Sequence, residues 1–325
     1  MRSPDNHKAQ VSFKQIVQRR ESAMFIFLVL ILVGMSVARP DTFFSTQNFV
    51  NILKQISLVA IIAVGQTFIM ITGGIDLSVG YSLGLGGIVM TKFMSIGMNS
   101  WGAILVGVLT CVLIGLLNGL FITRLNLPPF IVTMGMANIA RGLTYIITQG
   151  FPISTNNGFV LALGNNSIGM IPIMAIIMLV IVAAAVYLLG YTSFGTRILS
   201  IGGNETATML SGINVKRYKV LVYSLAGLLC GIAGVIMVGR LNAGNPNAGN
   251  SFDMDTIAAT IVGGTALSGG EGTVVGTLFG ALLLGIIKNS LVMLDVNMYW
   301  QTVAVGAIII LVCAVDYFAQ SKKKK

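Results

Sequence analysis

The chain has 325 residues, of which 55% are hydrophobic and only 9% are charged. A soluble domain carries about 25% charged residues, so this chain has too few to cover a surface that faces water. The net charge of +10 does not indicate a nucleic-acid partner. Most of the basic residues lie in the two terminal tails and one central polar segment, as expected of the cytoplasmic parts of a membrane protein. The composition excludes a soluble fold and predicts an all-α, polytopic membrane protein.

In chain order, residues 1–21 form a basic cytoplasmic tail. The apolar run that follows is a retained first helix, because no small-residue cleavage site with a soluble domain comes after it. A membrane-spanning helix needs about 20 largely apolar residues. Residues 22–317 form one transmembrane domain and residues 318–325 a second basic tail. The ten predicted spans are residues 22–38, 49–72, 79–97, 101–123, 129–148, 168–189, 219–239, 256–267, 274–294 and 298–317.

The loops between these spans agree with one topology. An even number of spans puts both termini on the same side, and their basic residues place that side in the cytoplasm. Residues 149–166 carry no charge, as expected of an external loop. The central segment 191–218, together with Lys219, carries four basic residues and is predicted to lie inside.

The sequence offers no residues for a metal or a cofactor. Cys111, Cys230 and Cys313 lie in separate apolar runs without a C-x-x-C spacing, and His7 is the one histidine. This set supports neither a metal site nor a disulfide framework, so packing is the expected role of each cysteine. We expect no cofactor.

Two similar glycine-rich segments interrupt apolar runs. We call them the first break (residues 71–80, ITGGIDLSVG) and the second break (residues 261–270, IVGGTALSGG); six of their ten positions are identical. Transporters commonly contain duplicated halves with broken helices at matching positions, which predicts an internal duplication. Similarity by composition alone is the alternative. The candidate residues of a translocation path or gate are Gly73, Gly74, Asp76, Ser78, Gly263, Gly264 and Ser268.

Asp76 is the one carboxylate that the first half of the chain places at membrane depth. A charge there costs about 2.5–3.5 kcal/mol on insertion scales, so its side chain must face protein or water. Asp76 is predicted either to line the path or brace a gate, or to cap the following helix by accepting hydrogen bonds from its free amides. The two roles are compatible. Arg141 and Lys288 are expected to extend towards the lipid headgroups.

Residues 202–215, GGNETATMLSGINV, carry the signals of a short helix outside the bilayer. Asn204 is a preferred N-cap, and Glu205 places a negative charge in the first turn, where it is favourable. Ala207, Leu210 and Ser211 continue the helix. Gly212 ends it in the usual C-terminal manner.

This stretch, continued as IGGNETATMLSGINVKRYKVLVYSLAGLLCGIAG, resembles the cytoplasmic loop of the ribose-type permease family of ATP-binding-cassette importers. AVGQTFIMITGGIDLSVG and DTIAATIVGGTALSGGEGTVVGTLFGALLLG extend the resemblance over nearly the whole chain. The wider family pattern is Glu-Ala-Ala followed by Gly. Here Thr206 replaces the first alanine and Gly212 comes one residue late, which suits the ribose-type branch better.

The resemblance implies a function and an assembly. The chain would be an inner-membrane permease for a ribose-like pentose or related sugar, pairing with a second identical or paralogous permease chain, a cytoplasmic ATP-binding subunit and a periplasmic sugar-binding protein. Glu205 would pair with a basic residue of the ATPase, while Leu210 and Ile213 fill its groove. The implied ATPase-coupling residues are Gly203, Asn204, Glu205, Ala207, Leu210, Ser211, Gly212 and Ile213.

The chain carries no ATP-binding motif of its own. The sequence contains no G-x-x-x-x-G-K-[ST] phosphate loop, so we expect a transport subunit rather than an enzyme. Three alternatives stay open: a permease of the same superfamily for an amino acid or nucleoside, a secondary transporter working alone, and a non-transporting scaffold. A secondary transporter would need protonatable or ion-binding groups in the membrane, for which Asp76 is the one good candidate.

Overall fold

A computed structural model describes residues 20–323, with side chains described for residues 28–308, 310 and 311. This part of the chain is helical, with four two-residue strands that close short hairpins and loops. The helices are α1 (Arg20–Ala38), α2 (Pro40–Phe43), α3 (Thr46–Ile71), α4 (Val79–Ser95), α5 (Ser100–Arg124), α6 (Pro129–Thr148), α7 (Gly158–Asn165), α8 (Ile173–Gly190), α9 (Ser193–Gly203), α10 (Glu205–Leu210), α11 (Val215–Leu241), α12 (Phe252–Val262), α13 (Val274–Met293) and α14 (Met298–Lys323). The strands are β1 (Ile153–Ser154), β2 (Ser167–Ile168), β3 (Ile171–Pro172) and β4 (Ala243–Gly244).

Six of the described helices are long and apolar enough to cross a membrane: α3, α5, α6, α8, α11 and α13. The all-α, polytopic fold is thereby confirmed. The predicted tail 1–21 lies almost wholly outside the described residues. At the other terminus, α14 continues to Lys323 and includes residues 318–323 of the predicted tail.

The predicted span 256–267 is wrong as a full helix. α12 has 11 residues and a length of about 16 Å at 1.5 Å per residue, roughly half of the hydrocarbon core. The non-helical part of this crossing precedes α12, where Gly244 lies against Ile88 of α4 and Gly249 lies against Gly80. Non-helical backbone at membrane depth is tolerated where protein surrounds it. The predicted span 168–189 also differs, because the β2–β3 hairpin precedes α8.

The connections between helices gather at two opposite ends of the bundle. At one end, β1 pairs antiparallel with β4, and the Asn165 side-chain amide donates to the Gly239 carbonyl oxygen at 2.7 Å. At the other end, the Gly270 amide donates to the Ile71 carbonyl oxygen at 2.9 Å. The uncharged segment 149–166 therefore lies at the opposite end of the bundle from both glycine breaks.

α3 and α11 form the centre of the bundle. Most residues in the second half of α3 are buried, and α11 contacts α5 along glycine-rich faces. A Cβ on Gly115 would lie 2.2 Å from the Tyr223 carbonyl oxygen, and one on Gly227 would lie 2.4 Å from that of Cys111. Small residues let membrane helices approach closely where no hydrophobic effect drives them together. This close packing fixes the elements that carry the two breaks.

Candidate functional site

The first break begins where α3 ends in a Schellman motif. Gly73 has a positive φ of 76°. Its amide donates to the Met70 carbonyl oxygen at 2.9 Å, and the Gly74 amide donates to that of Ile69 at 3.1 Å. These two bonds satisfy carbonyl groups that the helix end would otherwise leave free. The motif turns the chain back towards the interior instead of releasing it to solvent.

Asp76 lies at the centre of a buried polar network in this break. Its Oδ1 accepts from the Ser78 amide at 2.7 Å and from the Ser78 hydroxyl at 2.6 Å. The Asn118 amide donates to that same hydroxyl oxygen at 2.9 Å. Ser78 is the N-cap residue of α4 and makes no side-chain cap itself. The predicted helix cap thus takes another form: Asp76 bonds the cap residue rather than the first amides of the helix.

Two further side chains hold the backbone around Asp76. Oriented to satisfy its partners, the Gln66 amide bridges the Asp76 backbone, accepting from its N–H at 3.2 Å and donating to its carbonyl oxygen at 3.3 Å. The Tyr223 hydroxyl donates to the Ile75 carbonyl oxygen at 3.2 Å. Asp76 itself is 3% exposed. Buried networks of this kind rigidify a segment, which suits a brace better than a surface that solute contacts.

The second break repeats the same helix ending. Gly264 has a φ of 93°. Its amide donates to the Ile261 carbonyl oxygen at 2.9 Å, and the Thr265 amide donates to that of Thr260 at 3.1 Å. The structure therefore pairs Gly73 with Gly264, one residue away from the pairing that the sequence identity indicates. An internal duplication stays a prediction.

Gly263 has a different role from Gly264. A Cβ at this position would lie 2.5 Å from the Gly276 carbonyl oxygen, because α12 and α13 touch backbone to backbone. A Cβ on Gly264 would meet no atom of the described residues within 4 Å, so among them only the backbone φ restricts the residue type there.

The two breaks contact each other and the end of α9. The Gly270 amide donates to the Ile71 carbonyl oxygen at 2.9 Å, and a Cβ on Gly269 would lie 2.9 Å from the Gly73 nitrogen. A Cβ on Gly202, near the end of α9, would lie 1.8 Å from that Ile71 oxygen. Ser268 is exposed and meets Gly73 only through its carbonyl group. The sequence pattern did not indicate this three-way contact.

The segment 204–213 forms the short helix that the sequence predicts. The Asn204 side chain accepts from the Ala207 amide at 2.9 Å, and Gly212 ends α10 with a φ of 83°. Gly203, Ala207 and Ser211 are exposed, and Ile213 is half-buried. The helix presents Met209 and Leu210 to solvent, the latter 81% exposed. Met209 and Leu210 thus form a small exposed apolar patch on a polar segment.

Two charged residues have partners that the sequence did not predict. Glu205 forms an ion pair with Lys219 at 2.7 Å, so it is already paired within the chain. Lys288 does not extend towards lipid headgroups: it pairs with Asp255 at 2.5 Å. The Arg141 guanidinium lies over the Tyr81 ring, 5.6 Å from its centre.

Gly74→Ala is expected to lower the melting temperature of the purified protein and its transport activity. The new Cβ would lie 2.6 Å from the hydroxyl of Tyr223, which is 1% exposed and cannot withdraw. Overpacking of this kind costs about 1–3 kcal/mol. Tyr223→Phe in the Gly74→Ala background should recover part of the loss, since it removes the clashing oxygen.

The matched control is Gly142→Ala, on a helix position where a Cβ meets nothing within 4 Å. It should match the wild type or exceed it slightly, because alanine favours helix. A Gly74→Ala protein as stable and active as the control would show that the first break tolerates a side chain there.

A helical bundle with six full-length apolar spans, a half-helix and two glycine breaks in contact defines a polytopic membrane protein. Residues 48–313 match the family model described as branched-chain amino acid transport system / permease component. The chain therefore belongs to this family of permease components.

Curated relatives agree with this assignment. The chain is 40% identical to the ribose import permease protein RbsC of Haemophilus influenzae, over 93% of this chain and 95% of the relative. It is 40% identical to RbsC of Bacillus subtilis, over 94% and 95% respectively. It is 36% identical to the galactose/methyl galactoside import permease protein MglC of Haemophilus influenzae, over 94% and 96%.

Proposed function

We propose that this chain is the permease subunit of an ATP-binding-cassette importer and forms the translocation path for a monosaccharide. The observation that carries the proposal is the likeness, over at least 93% of each chain, to import permeases named for ribose and for galactose. A ribose-like pentose is the first substrate to test. The family's name also includes amino acids, which are the competing class of substrate.

The proposed assembly contains a second permease chain, a cytoplasmic ATP-binding subunit and a periplasmic sugar-binding protein. The lack of a phosphate loop in the 325 residues means that ATP hydrolysis must come from another subunit. The exposed apolar side chains of α10 supply a surface on which that subunit can dock. Selection of the sugar falls to the binding protein, so the permease needs few strong contacts along its path.

The contacts of α9 and α10 support a direct route from the ATPase to both breaks. The Thr208 hydroxyl, on α10, donates to the Ser200 carbonyl oxygen of α9 at 2.9 Å. Gly202, two residues further along α9, lies against Ile71 and Gly270. A displacement of α10 therefore reaches both breaks through packed backbone. In the proposed cycle, ATP binding closes the ATPase sites and moves α10, the helices open towards the binding protein, and hydrolysis resets them.

Reconstituted vesicles test this function. Vesicles that contain the permease, the ATPase and the binding protein should accumulate D-ribose in the presence of ATP, and omission of any one component should reduce uptake to background. Uptake of ribose by the permease alone would instead favour a stand-alone transporter. ATP-dependent uptake of leucine without ribose would replace the proposed substrate class.

Thiol labelling tests the proposed topology, with both termini in the cytoplasm of a bacterial inner membrane. Asn156 and Thr206 are exposed and lie in the segments predicted to be external and cytoplasmic. Asn156→Cys should react with an impermeant thiol reagent in intact cells with a permeabilised outer membrane. Thr206→Cys should react only after the inner membrane is opened. Neighbouring Thr208 is buried, so it is not a useful reporter. Reversed labelling of both cysteines would contradict the topology.

A further inference from the structure

A cavity of about 410 Å³ opens between α3, α11, α12 and α13. Arg240 lies at the end of α11, Phe252 begins α12, and Lys288 lies in the last two turns of α13. The ends of α11 and α13 belong to the end of the bundle that carries β1 and β4, whereas Phe252 lies deeper, beside Gly80 in the first turn of α4. On the proposed topology, the cavity opens to the outside, where a binding protein would release its solute.

A charged pair lines this cavity at membrane depth. Asp255 Oδ2 lies 2.5 Å from Lys288 Nζ, and the two side chains are 13% and 21% exposed. Intramembrane charges are costly, and they face protein or a water-filled cavity where they occur. The pair also keeps unused hydrogen-bonding capacity, because an ammonium group has three donors and a carboxylate has about four acceptor positions.

Arg240 adds a second cation, and uncharged polar groups and an aromatic ring complete the lining. Gln55 and Asn245 are half-buried and contribute side-chain amides, which both donate and accept. Within the described part of the chain, the Gln55 side chain makes no hydrogen bond. Phe252 supplies an apolar wall. Ligand sites commonly have volumes of roughly 300–1,000 Å³ and combine apolar walls with a few placed polar groups.

We infer that this cavity is an external binding site for a neutral, polyhydroxylated solute, that is, a monosaccharide, occupied before the solute crosses the membrane. Sugar hydroxyls both donate and accept hydrogen bonds, and so do the side-chain amides and the Asp255–Lys288 pair of the lining. The apolar C–H face of a sugar can pack against the Phe252 ring. A zwitterionic amino acid fits less well. Arg240 could bind its carboxylate, but Asp255, the one carboxylate of the lining, already pairs with Lys288 and leaves the ammonium group without a partner. The inference rests on the proposed function and adds to it the place of binding.

The test is protection of a cysteine reporter by sugar. Ala248 lines the cavity, whereas neighbouring Asn250 is exposed and does not. In purified permease, D-ribose should slow the reaction of Ala248→Cys with a small thiol reagent but not that of Asn250→Cys, as measured by peptide mass spectrometry. Val59→Cys, on α3, is a second reporter inside the cavity. Leucine should protect none of them.

A second substitution assigns the protection to the polar lining. Gln55→Leu keeps the size of the side chain and removes its amide, and the ribose concentration for half-protection should rise roughly threefold to tenfold, as for one lost hydrogen bond. Asn51→Leu, on the same helix, exposed and outside the cavity, should leave that concentration unchanged.

The two proposals fail differently. If the wild-type permease does not transport ribose in complete vesicles, the proposed function is wrong for this sugar. If it transports ribose while neither cavity reporter is protected, or while Gln55→Leu and Asn51→Leu behave alike, the site is wrong and the function stands. Protection by leucine and not by ribose overturns the chemical class of the ligand.

Discussion

Gly202→Ala is expected to reduce ATP-driven uptake by about tenfold or more. Overpacking destabilises a contact by about 1–3 kcal/mol, and each 1.4 kcal/mol corresponds to roughly a factor of ten. The new Cβ would lie 1.8 Å from the Ile71 carbonyl oxygen and 2.3 Å from the Gly270 nitrogen. Those are the two atoms that join the breaks by a 2.9 Å hydrogen bond. The substitution therefore drives a methyl group into the point where α9 and both breaks meet.

Gly190→Ala, at the end of α8, is the matched control, since a Cβ there meets no atom of the described residues within 4 Å. It should leave uptake, ATPase activity and membrane abundance at wild-type levels. Melting temperature and abundance should be measured for both variants, because a permease that fails to assemble would also lose uptake. Equal uptake by the two variants would show that the contact of Gly202 with the breaks can open without consequence, and the proposed route through α9 would be abandoned.

Leu210→Asp is expected to weaken association with the ATPase by roughly 30-fold, the effect of losing an apolar anchor worth about 2 kcal/mol at the centre of an interface. Leu210 is 81% exposed, so its replacement should change the stability of the permease itself by no more than about 0.5 kcal/mol. Purified ATPase and permease in nanodiscs give the dissociation constant, and vesicles give sugar uptake per ATP consumed.

Leu210→Met is the control, because it keeps an apolar side chain of similar volume and should bind the ATPase normally. If Leu210→Asp and Met209→Asp both retain full affinity and coupling, the ATPase docks elsewhere. The exposed turn around Glu271, at the same end of the bundle, is then the next segment to test.

Local signals were sufficient to predict α10. Asn204 caps the helix and Gly212 ends it, because each acts within a few residues of its own position in the chain. α9 was missed, although Phe194, Ile198 and Ile201 have the i, i+4, i+7 spacing of an amphipathic helix. The role of Asp76 was half predicted. Its burial follows from charge at membrane depth, but whether it caps α4 or bonds Ser78 depends on Asn118, Gln66 and the fold around them.

The end of α12 illustrates a second limit. Residues 256–262 read as the start of an ordinary apolar span, and glycine occurs in many spans of this chain. The helix ends at Val262 because Gly264 adopts a positive φ and Gly263 touches the backbone of α13. The pairing of Lys288 with Asp255 is likewise non-local, since 33 residues separate them. The paired glycines of the second break marked an interruption near residue 263, but neither the contact with α13 nor the ion pair leaves a pattern in the residues around it.

The sequence by itself determined that this is a polytopic helical membrane protein, where its apolar runs lie, that a short helix follows Asn204, and that it resembles sugar permeases. These properties follow from composition, hydropathy and short-range capping, which depend on neighbouring residues alone. Only the tertiary structure decided that Gly202, Ile71 and Gly270 meet at one point and that Asp255 and Lys288 share a cavity. Contacts between glycine backbones have no side-chain signature, and the partners of a buried charge are set by how distant helices pack.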